Sequence, residues 1–250
     1  MKKIISCFNR ISIPRAEEER VVIPKISREK GEILEVGCST AIYRNIFSAP
    51  YNYTGFDLTD LEFPESDKNH RFIVGSGYQL PFKDKAFDFV FSLAVIEHVR
   101  YPKKFIKECS RVLKVGGKLL INGTCPIGMR YESSPKYSAF TYEELAKILD
   151  ENGLVPIWHQ YVGGPLAHLY SMIESIIVKM FLGKTSKFKE SSVKKRWDPY
   201  INSEINSKIL RIRGFLVNML SSFELATGLV KIWPMGIHVL AKKVEKVCKK

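Results

Sequence analysis

The residues best placed to do chemistry begin at Ile33-Leu34-Glu35-Val36-Gly37-Cys38-Ser39-Thr40-Ala41. An apolar run that ends in a glycine turn and leads into a helix brings backbone N–H groups close to a ligand. About 20 residues later, Tyr53-Thr54-Gly55-Phe56-Asp57 ends a second apolar run on a carboxylate. That spacing suits Asp57 to accept hydrogen bonds from both ribose hydroxyls of a nucleoside. A full GxGxxG pattern is absent, so the loop alone is equally well explained as a tight structural turn. Glu97 and His98 follow the apolar run Phe87–Leu93, at the carboxyl edge where open α/β sheets bind ligands. His98 can take up a proton near neutral pH, or it can start a helix and bond the backbone. Glu97 is equally a capping carboxylate. Cys38 has no evident base beside it and reads as packing. Arg44 can meet a ligand carboxylate or lie on a solvated helix face. His70, His159, His168 and His238 have no ligand spacing and read as structural or surface residues.

Positioning these groups requires a sheet. Short apolar runs alternate with amphipathic stretches from residue 31 onward, the pattern of a parallel α/β sheet. Strands are expected at Glu32–Val36, Tyr53–Asp57, Arg71–Val74, Phe87–Leu93, Lys118–Asn122, Leu154–Tyr161 and Gly236–Lys242. Helices are expected at Ala41–Phe47, at Pro102–Leu113 before a Gly116–Gly117 turn, and at Thr141–Asn152. The last has Thr141 as N-cap, Glu144 three residues on as a capping box, and Gly153 beyond its end. Residues 1–30 suggest a helical N-terminal cap, broken by Pro14 and Pro24. Residues 163–230 interrupt the alternation and are too long for a simple connection. Leu166, Leu169, Ile173, Ile176, Ile177 and Met180 fall at helical spacing, as do Ile209, Ile212, Leu216, Leu220 and Phe223. Two helices are expected, joined by a basic segment with Lys184, Lys187, Lys189, Lys194, Lys195 and Arg196. Their apolar faces either pack on the sheet and on each other, or form a lid or a membrane contact. The expected organisation is a sheet domain of 31–162 and 231–245 with this helical insertion.

Taken in order, the motifs resemble the class I S-adenosylmethionine-dependent methyltransferases, in particular the methyltransferase type 11 group. Glu35-Val36-Gly37-Cys38-Ser39-Thr40-Ala41 is similar to that family's acidic-GxGxG motif, with Ser39 and Ala41 in the later glycine positions. Gly75-Ser76-Gly77-Tyr78-Gln79-Leu80-Pro81-Phe82 resembles GDAxxLPF. The run from Phe87 to Val99 resembles the fourth-strand signature ending in LEHV, and Arg111-Val112-Leu113-Lys114-Val115-Gly116-Gly117 resembles RVLKPGG. The resemblance spans residues 33 to about 153 and returns weakly at Gly236–Lys242. It implies a Rossmann-like, doubly wound seven-stranded sheet of order 3-2-1-4-5-7-6 with strand 7 antiparallel. It also implies S-adenosyl-L-methionine as cofactor, held by Glu35, Gly37, Cys38, Ser39, Asp57, Ser76 and Gly77. Ser92 and Leu93 would line its methionine part, and His98 and Glu97 would face the reacting methyl. Ser76 stands where the family has an aspartate for the adenine amino group. A neutral hydroxyl in that place weakens binding by ~1 kcal/mol.

Charge narrows the acceptor. The chain carries 39 basic and 26 acidic residues, a formal +13. Residues 160–250 hold 16 basic and 6 acidic residues, so most of the excess lies there. Such asymmetry fits an anionic counterpart or a plain solvated basic face. The leading expectation is methyl transfer to a small-molecule, lipid-linked or sugar acceptor, with peripheral contact to an anionic membrane surface. RNA methylation is the alternative, although no aromatic–basic interleaving marks an RNA-binding module. A non-catalytic cofactor-binding scaffold is a third. No uncharged apolar run approaches the ~18 residues of a membrane span, and no secretory signal is read at the start. The cysteines Cys7, Cys38, Cys109, Cys125 and Cys248 are odd in number and widely spaced. That favours the reducing cytoplasm over disulfides or a metal site.

Overall fold

The computed structural model describes residues 16–48, 50–59, 67–126, 138–182 and 204–245, of which 174–182 and 204–214 are described by backbone alone. The basic segment from Lys184 to Arg196 lies outside the described residues, as do Pro14, Cys7 and Cys248. The chain forms two compact units. One comprises residues 18–162 and 234–250, the other residues 1–17 and 163–233.

The first unit is built on seven strands: β1 Gly31–Val36, β2 Tyr51–Asp57, β3 His70–Val74, β4 Phe87–Ser92, β5 Leu113–Thr124, β6 Leu154–Val162 and β7 Gly236–Lys243. They form one sheet in the order β3-β2-β1-β4-β5-β7-β6, as expected. β7 is antiparallel to both neighbours, β5 and β6, and the remaining pairs are parallel. The central strands β1 and β4 are almost continuously buried, because a parallel sheet is covered on both faces. β6 is an edge strand, which is where Pro156 can be accommodated without losing a ladder bond to a second neighbour.

Helix α1, Pro102–Val112, starts on a proline and buries Phe105, Ile106, Cys109 and Val112 along one stripe. Helix α2, Tyr142–Glu151, has the expected capping box. Glu144 N–H donates to Thr141 Oγ1 at 3.3 Å and Thr141 N–H donates to Glu144 Oε2 at 2.9 Å. The core on this face joins Leu34, Val36, Phe56, Val90, Phe105 and Ile121. The N-terminal stretch is two short helical pieces, Glu18–Val22 and Ile23–Ile26, with Pro24 in the first turn of the second.

Two expectations need correction. Ala41–Phe47 is a chain of tight turns, not a helix. Ala41 N–H bonds Cys38 O, Arg44 N–H bonds Ala41 O and Ile46 N–H bonds Tyr43 O, all three residues apart. Left-handed φ at Ser39 and Ala41 turns the chain away from a helical start. β5 begins at Leu113 and contains Gly116–Gly117 as a bulge. Phe87 pairs with Leu113 while Phe89 pairs with Lys118.

The second unit contains helices α3, Pro165–Leu182, and α4, Glu204–Thr227, followed by a short turn at Leu229–Lys231. The buried stripe of α4 is Val217, Ser221 and Glu224, whereas Leu216 and Phe223 are exposed. On α3, Ala167 and His168 are buried while Leu169 and Ile173 are exposed. Of the apolar stripes read from spacing, Leu169, Ile173, Leu216 and Phe223 therefore face outward, while Leu166 and Leu220 are half-buried. The reason is Glu224. Its Oε1 accepts the N–H groups of Leu166 (2.6 Å) and Ala167 (3.3 Å), and its Oε2 accepts that of Gly164 (3.2 Å). These are donors that the first turn of α3 cannot satisfy within the helix. Glu17 Oε2 accepts Gly163 N–H at 2.6 Å, and His168 Nε2 meets Trp233 O at 2.9 Å. Among the described residues, no helix is long and apolar enough to cross a membrane.

Candidate functional site

The loop after β1 is pinned to the end of β2. Gly37 and Cys38 both donate their N–H groups to Phe56 O, at 2.7 and 3.2 Å. Gly37 has φ +85°, and a Cβ there would lie 2.2 Å from Val95 Cγ2, so glycine is required twice over. Ser39 and Ala41 take φ of 47° and 52°, at about 1–2 kcal/mol each for a residue with a Cβ. Ala94, in the loop after β4, takes φ 56°. Three of the four non-glycine residues with positive φ among those described thus cluster at the carboxyl ends of β1 and β4. Such strain concentrates where a surrounding structure holds a site open.

Asp57 closes the same corner from β2. Its Oδ2 accepts Ser39 N–H at 2.7 Å and its Oδ1 accepts Leu58 N–H at 2.7 Å. Each oxygen keeps a second lone pair, so the half-exposed carboxylate can still receive two hydroxyl donors. The two acceptor oxygens therefore fit the ribose hydroxyls of a nucleoside. Glu35 is buried beneath the loop and accepts the Tyr53 hydroxyl. Burial, followed by the charge of Glu35, pushes the Tyr53 phenol far above its usual range. Burial, then Glu35 and Asp57, raise the Cys38 thiol likewise, so it stays protonated and is no nucleophile. Its sulfur packs against Gly55, where a Cβ would come within 2.9 Å of it.

The loop after β3 meets the same end of the sheet. Gly75 N–H donates to Asp57 O at 2.8 Å. Ser76 is exposed, and its Oγ accepts Tyr78 N–H at 3.3 Å. Gly77 is pressed against Phe105, 2.8 Å from where a Cβ would stand. Sequence reasoning gave Arg111 no role, yet it clamps this loop from α1. It donates to Leu80 O, to Phe82 O and to Asp84 Oδ1, each at 2.8 Å. Glu108 completes the clamp by accepting from Arg111 and from Leu80 N–H. The signal was present in the RVLKVGG motif, whose arginine was matched by type but not by purpose.

At the end of β4 the residues divide between inside and outside. Ser92 is buried and its hydroxyl donates to Val36 O at 2.8 Å, so its side chain ties β4 to β1. Leu93 is nearly buried. Asn122, which sequence reasoning missed, accepts Ala94 N–H at 2.6 Å and holds the strained residue in place. Glu97 is buried, and its Oε1 accepts the Thr124 hydroxyl at 3.2 Å. His98, its neighbour in the short turn Ile96–His98, is exposed. Arg44 folds back on its own turn, donating to Ala41 O at 3.2 Å, and Tyr43 donates to Glu18 Oε1 at 2.8 Å. A separate cleft of about 450 Å³ is lined by Lys103, Phe140, Glu144, Lys147 and neighbours, and includes none of these residues.

The family model described as "Methyltransferase domain" matches residues 34–121, the segment that carries these loops. An uncharacterized protein of Methanocaldococcus jannaschii is 36% identical over 116 residues, covering 44% of this chain and 55% of that protein. The tRNA U34 carboxymethyltransferase of Nautilia profundicola is 32% identical over 113 residues, covering 41% of this chain and 37% of the enzyme. The chain thus spans about half the length of these relatives, or less. Among solved structures, Haemonchus contortus phosphoethanolamine N-methyltransferase 2, in complex with S-adenosyl-L-methionine, aligns with a TM-score of 0.56 at 17% identity. The alignment covers 91% of this chain and 53% of that one. At that identity the likeness speaks for the fold.

Proposed function

We propose that this chain, whose residues 34–121 match the methyltransferase domain model, binds S-adenosyl-L-methionine at the carboxyl ends of β1, β2 and β3 and methylates a small-molecule, lipid-linked or sugar acceptor. The observation that carries the reading is the corner formed by Asp57 and the strained loop of Gly37–Ala41, joined by the Ser39 N–H bond of 2.7 Å. Asp57 would hold the ribose. Ser76 and Gly77 would bound the adenine, and Gly37, Cys38 and Ser39 would offer backbone along the rest. Glu35 supports the loop from below, and Ser92 and Leu93 would form the floor at β4.

When bound, the cofactor supplies an electrophilic sulfonium methyl that an acceptor O, N, C or S atom takes by in-line displacement. The protein's part is to orient the acceptor, exclude water and remove a proton where the acceptor carries one. His98 is assigned that proton, because it is the exposed titratable group at the end of β4. Glu97 is assigned to positioning. Its bond to Thr124 fixes the turn that presents His98. The buried free thiols of Cys38, Cys109 and Cys125 support placement in the reducing cytoplasm.

A second reading, methyl transfer to RNA, draws on the basic excess and on the likeness to a tRNA-modifying enzyme. The test is transfer of labelled methyl from S-adenosyl-L-methionine into a cell extract, followed by fractionation. Label in organic-soluble or small polar fractions, lost in His98→Ala, is expected. Label in RNA would replace the first reading with the second. Cofactor binding without label anywhere would leave a non-catalytic scaffold.

A further inference from the structure

We infer that the outer faces of α3 and α4 dock onto an anionic lipid surface. The inference does not rest on methyl transfer and would stand for a chain that binds no cofactor.

Helix α4 is inverted relative to an ordinary surface helix. Its buried side holds Val217, Ser221 and Glu224, and its outer side holds Phe215, Met219 and Phe223, spaced four apart. Phe215 is 67% exposed. The inversion is fixed by hydrogen bonding. Glu224 must face inward to serve the three N–H groups of Gly164, Leu166 and Ala167, and the phenylalanines are thereby turned outward. Helix α3 does the same on a smaller scale, with Leu169, Met172 and Ile173 exposed and Ala167 and His168 buried. Just beyond α4, Ile232 and Trp233 are also exposed, beside Lys231.

Clustered exposed apolar side chains of this size mark a partner surface. The charge of the same stretch of sequence says which. Residues 163–233 contain 11 basic and 5 acidic residues, and one of the five, Glu224, is buried in its capping role. Protein interfaces are depleted in lysine, whereas a helix lying on a bilayer combines phenylalanine, leucine and tryptophan with lysine and arginine. The basic excess complements anionic headgroups. A tryptophan edge such as Trp233 suits the headgroup boundary. Among the described residues neither helix is long and apolar enough to cross a membrane, and outer faces of this kind lie in the plane of a surface.

The experiment is flotation of the 250-residue chain with vesicles of phosphatidylcholine alone or with phosphatidylglycerol added. A parallel sample carries Phe215→Ser, Met219→Ser and Phe223→Ser together. Flotation with the anionic vesicles only is expected, weakened by raised salt. It should fall about tenfold or more in the triple variant, as three large side chains leave the interface. An unchanged melting temperature would show that the variant folds, and the wild-type comparison of the two vesicle types stands without it. Absence of flotation would overturn the inference. So would equal flotation of the variant, or a wild-type dimer that the triple variant dissociates, which would assign the face to a second copy.

Discussion

The sheet unit and the helical unit differ in what turns their large apolar side chains in or out. In the sheet, Phe87, Phe89, Phe91 and Val90 are sealed inside, and the buried carboxylates of Glu35 and Glu97 lie near the ends of the strands. In the helical unit Glu224, Ser221 and His168 are inside, while Phe215, Met219 and Phe223 meet solvent. The sheet has satisfied its backbone through the ladder, so apolar burial decides the orientation of its large side chains. The helical unit has the orphan N–H groups of α3 to satisfy, and the side chain that satisfies them decides which face of α4 turns in. Hydropathy predicts burial only where no unsatisfied backbone competes for the same space.

Substitutions can break this contrast in order of size. Phe89 is fully buried and its ring stacks on Phe91 with centroids 5.6 Å apart. Phe89→Ala should lower stability by about 3–5 kcal/mol in urea unfolding. Glu224→Ala should cost about 2–4 kcal/mol, since it strands three N–H donors at the start of α3, two of them in buried residues. Hydrogen exchange should speed up across residues 163–233 and leave the amides of β1 and β4 protected. Equal loosening of both units would erase the contrast.

Arg111→Met tests the loop clamp. It should cost about 1–3 kcal/mol, reduced by the partial exposure of the ion pair, and weaken cofactor binding. The Arg111 guanidinium bonded to Glu108 holds that carboxyl below its ordinary 4.5. A depressed folded value means that the stabilisation is complete above pH ~4.5 and is lost as pH falls through the folded value. The gap between wild type and Arg111→Met should therefore shrink in acid, measured by unfolding at several pH values. The smallest effect is expected at Phe223→Ser. An exposed phenylalanine contributes little to folding, and the change should stay within about 0.5 kcal/mol. A loss as large as that of Phe89→Ala would mean that Phe223 is covered in solution.

Much of the sheet was legible because its signals are local. β1, β3 and β6 run into a glycine and β2 ends on Asp57, and the 3-2-1-4-5-7-6 order follows from the motif resemblance. The capping box at Thr141 was legible for the same reason. The helix expected at Ala41–Phe47 was not realised, because left-handed φ at Ser39 and Ala41 is set by the bonds to Phe56 and Asp57, both distant in sequence. The stripes of α3 and α4 were legible as stripes but not as inside or outside. That depended on one glutamate reaching a helix start about 60 residues away. In the site, Asp57 and Gly37 carried their purpose on their surface. Arg111 and Asn122 did not, since each acts on a backbone group that only the folded chain brings near.

The central claim is that the Asp57 corner holds a nucleoside cofactor. Calorimetric titration of S-adenosyl-L-methionine into the protein and into Asp57→Ala tests it most directly. The account predicts micromolar binding by the wild type and loss of that binding in the variant, with folding retained. No heat and no thermal shift at millimolar cofactor, or equal binding by both proteins, would contradict it.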